Sequence, residues 1–294
     1  MKKYFVISIL AFILLMPVAA SYNTISIGDI KTSTIQSSVE ESTHSVMIEY
    51  ATLTTCPPCV TASSQLNSIY NSGDLDFYFV TLVADECNLN IRGRISDLGV
   101  SSVPDVYFDG GYRRILGGQS SETPYRNAIT QCGQRDVPDI DIDVSADWKG
   151  NGEIKISVDV QNNEPEEYSG ILRVYIVEVE SRWNDNGGHP YHYAAIGMPI
   201  DRSLTMPKAG VQPLADTYTF SKTWKGSIYG FGDITKDNIM IIASVFDKET
   251  GHAVQAASAE PASATSQLYE FISSRPMIRA FQFLINKGIS NLIF

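Results

Sequence analysis

The chain has 294 residues, 44% of them hydrophobic, and a formal net charge of −11 at pH 7. That length allows two domains, each with a core of its own. An acidic chain with no long basic run is not built to bind nucleic acid, so no such partner is expected.

Lys2 and Lys3 precede an apolar run from Phe5 to Met16, and Val18-Ala19-Ala20 supplies the small residues that a signal peptidase reads. The pattern predicts a secretory signal over 1–20, cleaved after Ala20. Its alternative is an uncleaved anchor, because Tyr4 to Ala20 approaches the lower limit of about 17 residues for a spanning helix. Either way the expected location is extracytoplasmic, secreted or at the cell surface, where thiols can form lasting disulfides. Residues 21–44, rich in Ser and Thr, read as a lead-in with at most one strand.

From Ser45 the texture changes. Val46 to Ala51 is apolar except for Glu49 and reads as a strand, and Pro57 to Tyr70 carries Val60, Leu66 and Ile69 at loosely helical spacing. Asp76 to Val83 is a second strand, Leu89 to Leu98 a short helix and Asp105 to Asp109 a third strand. Gly110-Gly111 reverses the chain into Tyr112 to Leu116, and Ser121 to Cys132 closes the unit as a helix. Strand, helix, strand, helix, hairpin, helix describes an α/β domain with a mixed sheet over 45–134.

Beyond Pro138 the pattern becomes all-β. Ile140 to Val144 and Glu153 to Gln161 alternate, Ile171 to Val179 is rich in branched residues, and Ile239 to Phe246 is almost continuously apolar. These strands predict a β-sandwich of immunoglobulin-like architecture over 138–258, without the Cys-Trp-Cys pattern of a true immunoglobulin domain. A linker and a C-terminal amphipathic helix are expected over 259–294, where Ile278, Phe281, Leu284 and Ile285 recur at helical spacing. That stretch is too short and too polar to span a bilayer. Docking onto the protein itself or a partner, attachment to a membrane surface and a sorting role are the roles open to it.

The four cysteines can pair in three ways. Cys56 and Cys59, in the run Cys56-Pro57-Pro58-Cys59, are close enough for an exchangeable bond. Cys87 and Cys132 are then left for a structural disulfide worth about 3–4 kcal/mol, unless Cys87 serves as an auxiliary redox thiol. With Cys56 as N-cap, Pro57 falls at the first helical position, where its fixed φ fits and its missing N–H costs nothing. The positive helix end favours the Cys56 thiolate, the nucleophilic form. No His, Lys or Arg stands inside the motif to add charge, so the thiolate is expected to be stabilised by the helix end and little else. A CxxC is also half of a zinc site or an inert disulfide. No second CxxC follows, and His44, His189, His192 and His252 make no ligand spacing with it. Redox chemistry without metal or cofactor is the reading its βαβ context favours.

These residues resemble the thioredoxin superfamily: an apolar strand carrying Glu49, CPPC at the next helix start, an intervening strand and helix, and Val103-Pro104 just before a hairpin strand. The likeness covers about 45–134. More loosely, the chain is similar to exported thioredoxin-like proteins of archaea and bacteria that carry a trailing β-sandwich. The resemblance implies a cis proline at Pro104 that faces the active-site disulfide, with Val103 pairing to an extended substrate beside Pro57 and Pro58. It also implies a buried acid at Glu49 that accepts the proton of Cys59, although in thioredoxin the acid stands one residue nearer the motif. Glu49 could equally face solvent.

Trp183 to Tyr193, with Asp185, His189, Tyr191, His192 and Tyr193, is polar and aromatic and reads as a structural or substrate-facing loop, since Gly187, Gly188 and Pro190 argue against a metal-binding helix. Asp139, Asp141 and Asp143 share one face of a strand, a solvated face rather than a calcium site. The function expected is an extracytoplasmic thiol–disulfide oxidoreductase, with protein thiols or disulfides as substrates and a redox protein as partner. Whether it oxidises, isomerises or reduces is not written in the chain. The alternative from another class is a non-catalytic extracellular binding or assembly module on the same fold.

Overall fold

The computed structural model describes residues 42–210 and 217–263. The expected signal segment 1–20, the lead-in up to residue 41 and the C-terminal helix beyond residue 263 lie outside the described residues.

The first half follows the expected order. Strand β1 (Val46–Thr52) is buried along its whole length. Helix α1 (Pro57–Ser72) is stopped by Gly73, whose φ of 67° closes the C-terminus in a conformation that suits glycine. Strand β2 (Phe77–Val83) runs parallel to β1. Helix α2 (Leu89–Asp97) is capped by Asn88, whose side chain accepts the N–H groups of Asn90 and Ile91. Strands β3 (Asp105–Phe108) and β4 (Arg113–Leu116) form the hairpin, and α3 (Thr123–Gly133) follows.

The second half holds β5 (Ile140–Gly150), β6 (Glu153–Asn162), β7 (Tyr168–Asn184), β8 (Pro190–Met206), β9 (Thr217–Lys225), β10 (Ile239–Asp247), β11 (Ala253–Ala259) and the short β12 (Ala262–Ser263). Among the described residues strands predominate, and both sheets are mixed. One sheet has the order β12-β5-β6-β9, and the other runs β11-β10-β7-β8-β2-β1-β3-β4. The regions 45–134 and 138–258, read from sequence as an α/β unit followed by a sandwich, therefore contribute strands to one continuous eight-stranded sheet. The seam is the parallel contact of β2 with β8 at Thr81 and Ala194. The physical reason lies in β2, Phe-Tyr-Phe-Val-Thr-Leu-Val, which left as an edge would present an apolar strand with unpaired backbone groups.

The core has two clusters. One gathers β1, β2, α1 and α3 with Tyr175, Tyr191, Tyr193 and Phe246 of the second half, and the other fills the space between the two sheets. Buried polar groups pin the amino end of β1: the Asp109 carboxylate accepts the Met47 N–H at 2.9 Å, pairs with His44 Nε2 at 3.0 Å and with Arg135 Nη2 at 3.0 Å. Arg135 also donates to the Ala253 carbonyl, so β11 is held to the same corner.

Candidate active site

Strand β1 ends in the turn Leu53–Thr55, which delivers Cys56 in extended conformation (φ −97°, ψ 105°) as the N-cap of α1. Pro57 and Pro58 occupy the first helical positions, and both are exposed. The Cys56 N–H donates to Leu53 O at 3.2 Å, and the Cys59 N–H donates to Cys56 O at 3.2 Å. Cys56 and Cys59 are joined by a disulfide with S–S 2.05 Å. Cys56 keeps 7% of its surface and Cys59 none, so Cys56 is the less deeply buried of the two.

A buried hydroxyl chain holds this turn from below. Tyr50 donates to the Cys59 carbonyl at 2.9 Å, its oxygen lies 3.2 Å from Thr52 Oγ1, Thr52 Oγ1 is 2.8 Å from Tyr191 Oη, and Tyr191 donates to Leu53 O at 2.9 Å. The chain thus fastens both ends of the motif, and its last link comes from β8. Burial raises the Tyr50 pKa well above the ordinary phenol value and pushes Tyr191 up to about 12, so both hydroxyls stay protonated donors. Tyr50 and Thr52 carried no sequence signal, because both lie on an apolar strand and read as core, whereas Tyr191 stood in the polar, aromatic run read as a loop, with nothing local to tell that its hydroxyl reaches the motif.

The Val103–Pro104 peptide is cis. Ala51 at the end of β1 pairs with Asp105, which places Pro104 at the end of the sheet where Cys56 emerges. Pro104 O accepts the Gly117 N–H at 2.8 Å, and Gly118 lies so close to α1 that a Cβ there would stand 3.0 Å from Pro58 O. Gly117 and Gly118 therefore bridge Pro104 to Pro58, and Val103 packs against the core cluster that holds both cysteines.

Glu49 is a correction. Successive strand residues face opposite sides of a sheet, and Tyr50 reaches α1. Glu49 thus faces the other side, where Arg94 donates to it through Nε at 2.7 Å and Nη2 at 2.6 Å and Tyr175 donates at 2.6 Å. Burial works to raise its pKa, but Arg94 and Tyr175 outweigh burial and the net shift is downward. An ionised carboxylate locked to a guanidinium on the far face is not placed to take a proton from Cys59. It is a structural charge that joins α2 to β7.

The Cys87–Cys132 disulfide is a second correction, since both are free and buried thiols. Cys87 follows the carboxyl end of β2, its N–H bonding to Val83 O. Cys132 sits at the end of α3, where the Gly133 carbonyl accepts the Thr43 N–H just before β1 begins. The two thiols belong to opposite ends of strands that rise about 3.3 Å per residue, roughly 20 Å apart over their length. A disulfide tolerates about 4.4–6.8 Å between Cα atoms. Burial pushes both thiols above the ordinary cysteine pKa.

Of the run Trp183 to Tyr193 read as a loop, only 185–189 is one: Trp183 and Asn184 end β7, Pro190 to Tyr193 begin β8, and the tip between them lies beside α1. Among the described residues no group of three or more His, Cys, Asp or Glu is arranged to hold a metal ion.

No family model matches the chain, and no curated protein matches it. Solved structures do. HBP35 of Porphyromonas gingivalis superposes with a TM-score of 0.56 at 10% identity, covering 75% of this chain and 76% of that one. The likeness is one of fold, and it extends over three quarters of either molecule. A protein from Agrobacterium tumefaciens matches with a TM-score of 0.43 at 13% identity over 73% of this chain and 93% of its own. A domain of the outer membrane lipoprotein Omp28 from Porphyromonas gingivalis matches with a TM-score of 0.23 at 18% identity over 44% and 94%.

Proposed function

We propose that this chain is an extracytoplasmic thiol–disulfide oxidoreductase of thioredoxin-like build, acting on protein cysteines through Cys56 and Cys59. The observation that carries the reading is the disulfide at the first turn of α1, with Cys56 at the helix start the less buried half and Cys59 wholly buried. In the oxidising direction a substrate thiolate attacks Sγ of Cys56, the Cys56–Cys59 bond breaks, and Cys59 leaves as a thiolate that takes up a proton. A second substrate thiolate then attacks the substrate sulfur of the mixed disulfide and releases Cys56. The substrate loses two electrons and the Cys56/Cys59 pair gains them. Reduction runs the same steps backward, and the electron supply of a redox partner protein sets the direction.

Each support has a role. The positive end of α1 stabilises Cys56 when it leaves as thiolate. Val103 and Pro104 face the substrate backbone, and exposed Pro57 and Pro58 form the rim of the site. The signal-like segment 1–20 supports an exported location. The test is insulin reduction by dithiothreitol followed as turbidity. Cys56→Ser should abolish the acceleration, whereas Cys132→Ser should retain it. Full activity in Cys56→Ser would reject the proposal in favour of a non-catalytic module.

A further inference from the structure

The hairpin tip and the redox helix enclose a cleft of about 240 Å³ that no step above uses. One wall is the flank of α1 with Val60, Ser64 and Asn67, and the other carries His189 and His192. Cys56 stands four residues before Val60, which places it on the same flank. At about 1.5 Å per helical residue, Val60 lies about 6 Å and Asn67 about 16 Å down the axis from Cys56. An extended peptide advances about 3.3 Å per residue. A chain whose cysteine is held at Cys56 would therefore cross the cleft with roughly its second to fifth flanking residues.

The cleft is built rather than incidental. Asp185, with its side chain 4% exposed, accepts the Gly187 N–H at 2.8 Å and the His189 N–H at 3.0 Å, and its own N–H bonds His189 O at 2.8 Å. These bonds fix the tip, with His189 Nδ1 3.5 Å from the Asp185 carboxylate. His192 Nδ1 lies 3.3 Å from Val179 O, a contact that only an Nδ1–H satisfies, so the neutral ring keeps Nε2 as an acceptor. Opposite, Asn71 donates to Asn67 Oδ1 at 3.3 Å, which leaves the Asn67 amide nitrogen as the donor on that side, beside the Ser64 hydroxyl. Donors on one wall and the His192 imidazole acceptor on the other match a carboxamide, which carries one of each.

We infer that the cleft between α1 and the β7–β8 tip is a subsite for the polypeptide flanking the substrate cysteine, receiving an Asn or Gln side chain two to five residues from it. This subsite rests on the oxidoreductase reading, and its test keeps the two apart. In a Cys59→Ala background, the Cys56 thiolate attacks the sulfur of a single cysteine in a short alanine-serine peptide, activated as its thionitrobenzoate mixed disulfide, so that the Cys56–peptide disulfide forms and the coloured thionitrobenzoate leaves. The peptide with Gln at the matching position should react about tenfold faster than its Ala counterpart, as one hydrogen-bonded group would give. Added Ser64→Trp or His192→Ala should erase that preference and leave the rate with activated free cysteine unchanged. A preference that is absent, or that survives both substitutions, overturns the subsite. The fluorescein-labelled peptide with Ser in place of Cys, bound to the oxidised wild-type protein and read by anisotropy, decides the cleft even if Cys56 proves unreactive. Affinity about tenfold weaker in Ser64→Trp supports it, and equal affinity overturns it. Failure of the peptides and of free cysteine alike to react with Cys56 counts against the oxidoreductase alone.

Discussion

Replacing Glu49 by Gln distinguishes a structural charge from a proton relay. Glu49 is fully buried and held by two bonds from Arg94 and one from Tyr175. Removing its charge leaves the Arg94 guanidinium, itself 6% exposed, without a counter-ion. Breaking a buried pair from one side costs about 3–5 kcal/mol, and Gln, which keeps the volume and can still accept one bond, should fall near 3 kcal/mol. For a body of this size each kcal/mol is worth about 2–4 °C, so the Tm should drop by roughly 6–12 °C. The triple change Glu49→Leu, Arg94→Met, Tyr175→Phe removes all three polar partners together and should recover most of the loss. Thermal unfolding by circular dichroism supplies the stability, and insulin reduction at 25 °C supplies the activity, which Glu49→Gln should leave intact per folded molecule. A variant with an unchanged Tm and a kcat/KM lower by about 10²-fold or more, the worth of general acid–base catalysis, would refute the structural assignment and restore Glu49 to the chemistry.

Three further outcomes follow from the same geometry. Because the folded pKa of Glu49 lies below its ordinary 4.5, the stability it confers is complete above that value and lost as pH falls through the lower folded value; urea midpoints between pH 7 and pH 3 should decline more steeply at the acid end in the wild type than in Glu49→Gln. Cys87 and Cys132 are buried with raised pKa values, so Ellman's reagent should find no thiol in the native protein and two after unfolding without reductant; none in the unfolded sample would mean that the two are bonded. Tyr191→Phe deletes the hydroxyl that ties Leu53 and Thr52 to β8, which should cost about 1–2 kcal/mol and speed amide exchange at Cys56, whereas unchanged exchange there would show that the hairpin does not brace the turn.

The first half was legible because its signals are local. A proline pair after an apolar strand starts α1, a glycine pair reverses β3 into β4, and Val103-Pro104 stands at the place the resemblance requires. Strand parity was not legible: β1 is apolar on both sides, so nothing in the sequence tells that Tyr50 faces the disulfide helix and Glu49 faces away. The 17-residue strands β7 and β8 were read short or missed. Their pairing shifts register between Val174 and Ile176, between Ile176 and Val177, and between Glu180 and Asn184, and each shift breaks the alternation that marks a strand. The Cys87–Cys132 pairing was inferred from compartment and even count, which carry no information about which end of a strand a thiol occupies. The seam between β2 and β8 depends on a single register contact 113 residues apart in sequence, Thr81 with Ala194, and no local pattern announces it.

The reduction potential of the Cys56/Cys59 couple, measured by equilibration with glutathione buffers and mass analysis of the alkylated thiols, tests the central claim most directly. An exchangeable pair should titrate between about −270 and −120 mV, the span of thioredoxin-like oxidoreductases. A couple that remains closed to below about −300 mV, as structural disulfides do, would contradict the account.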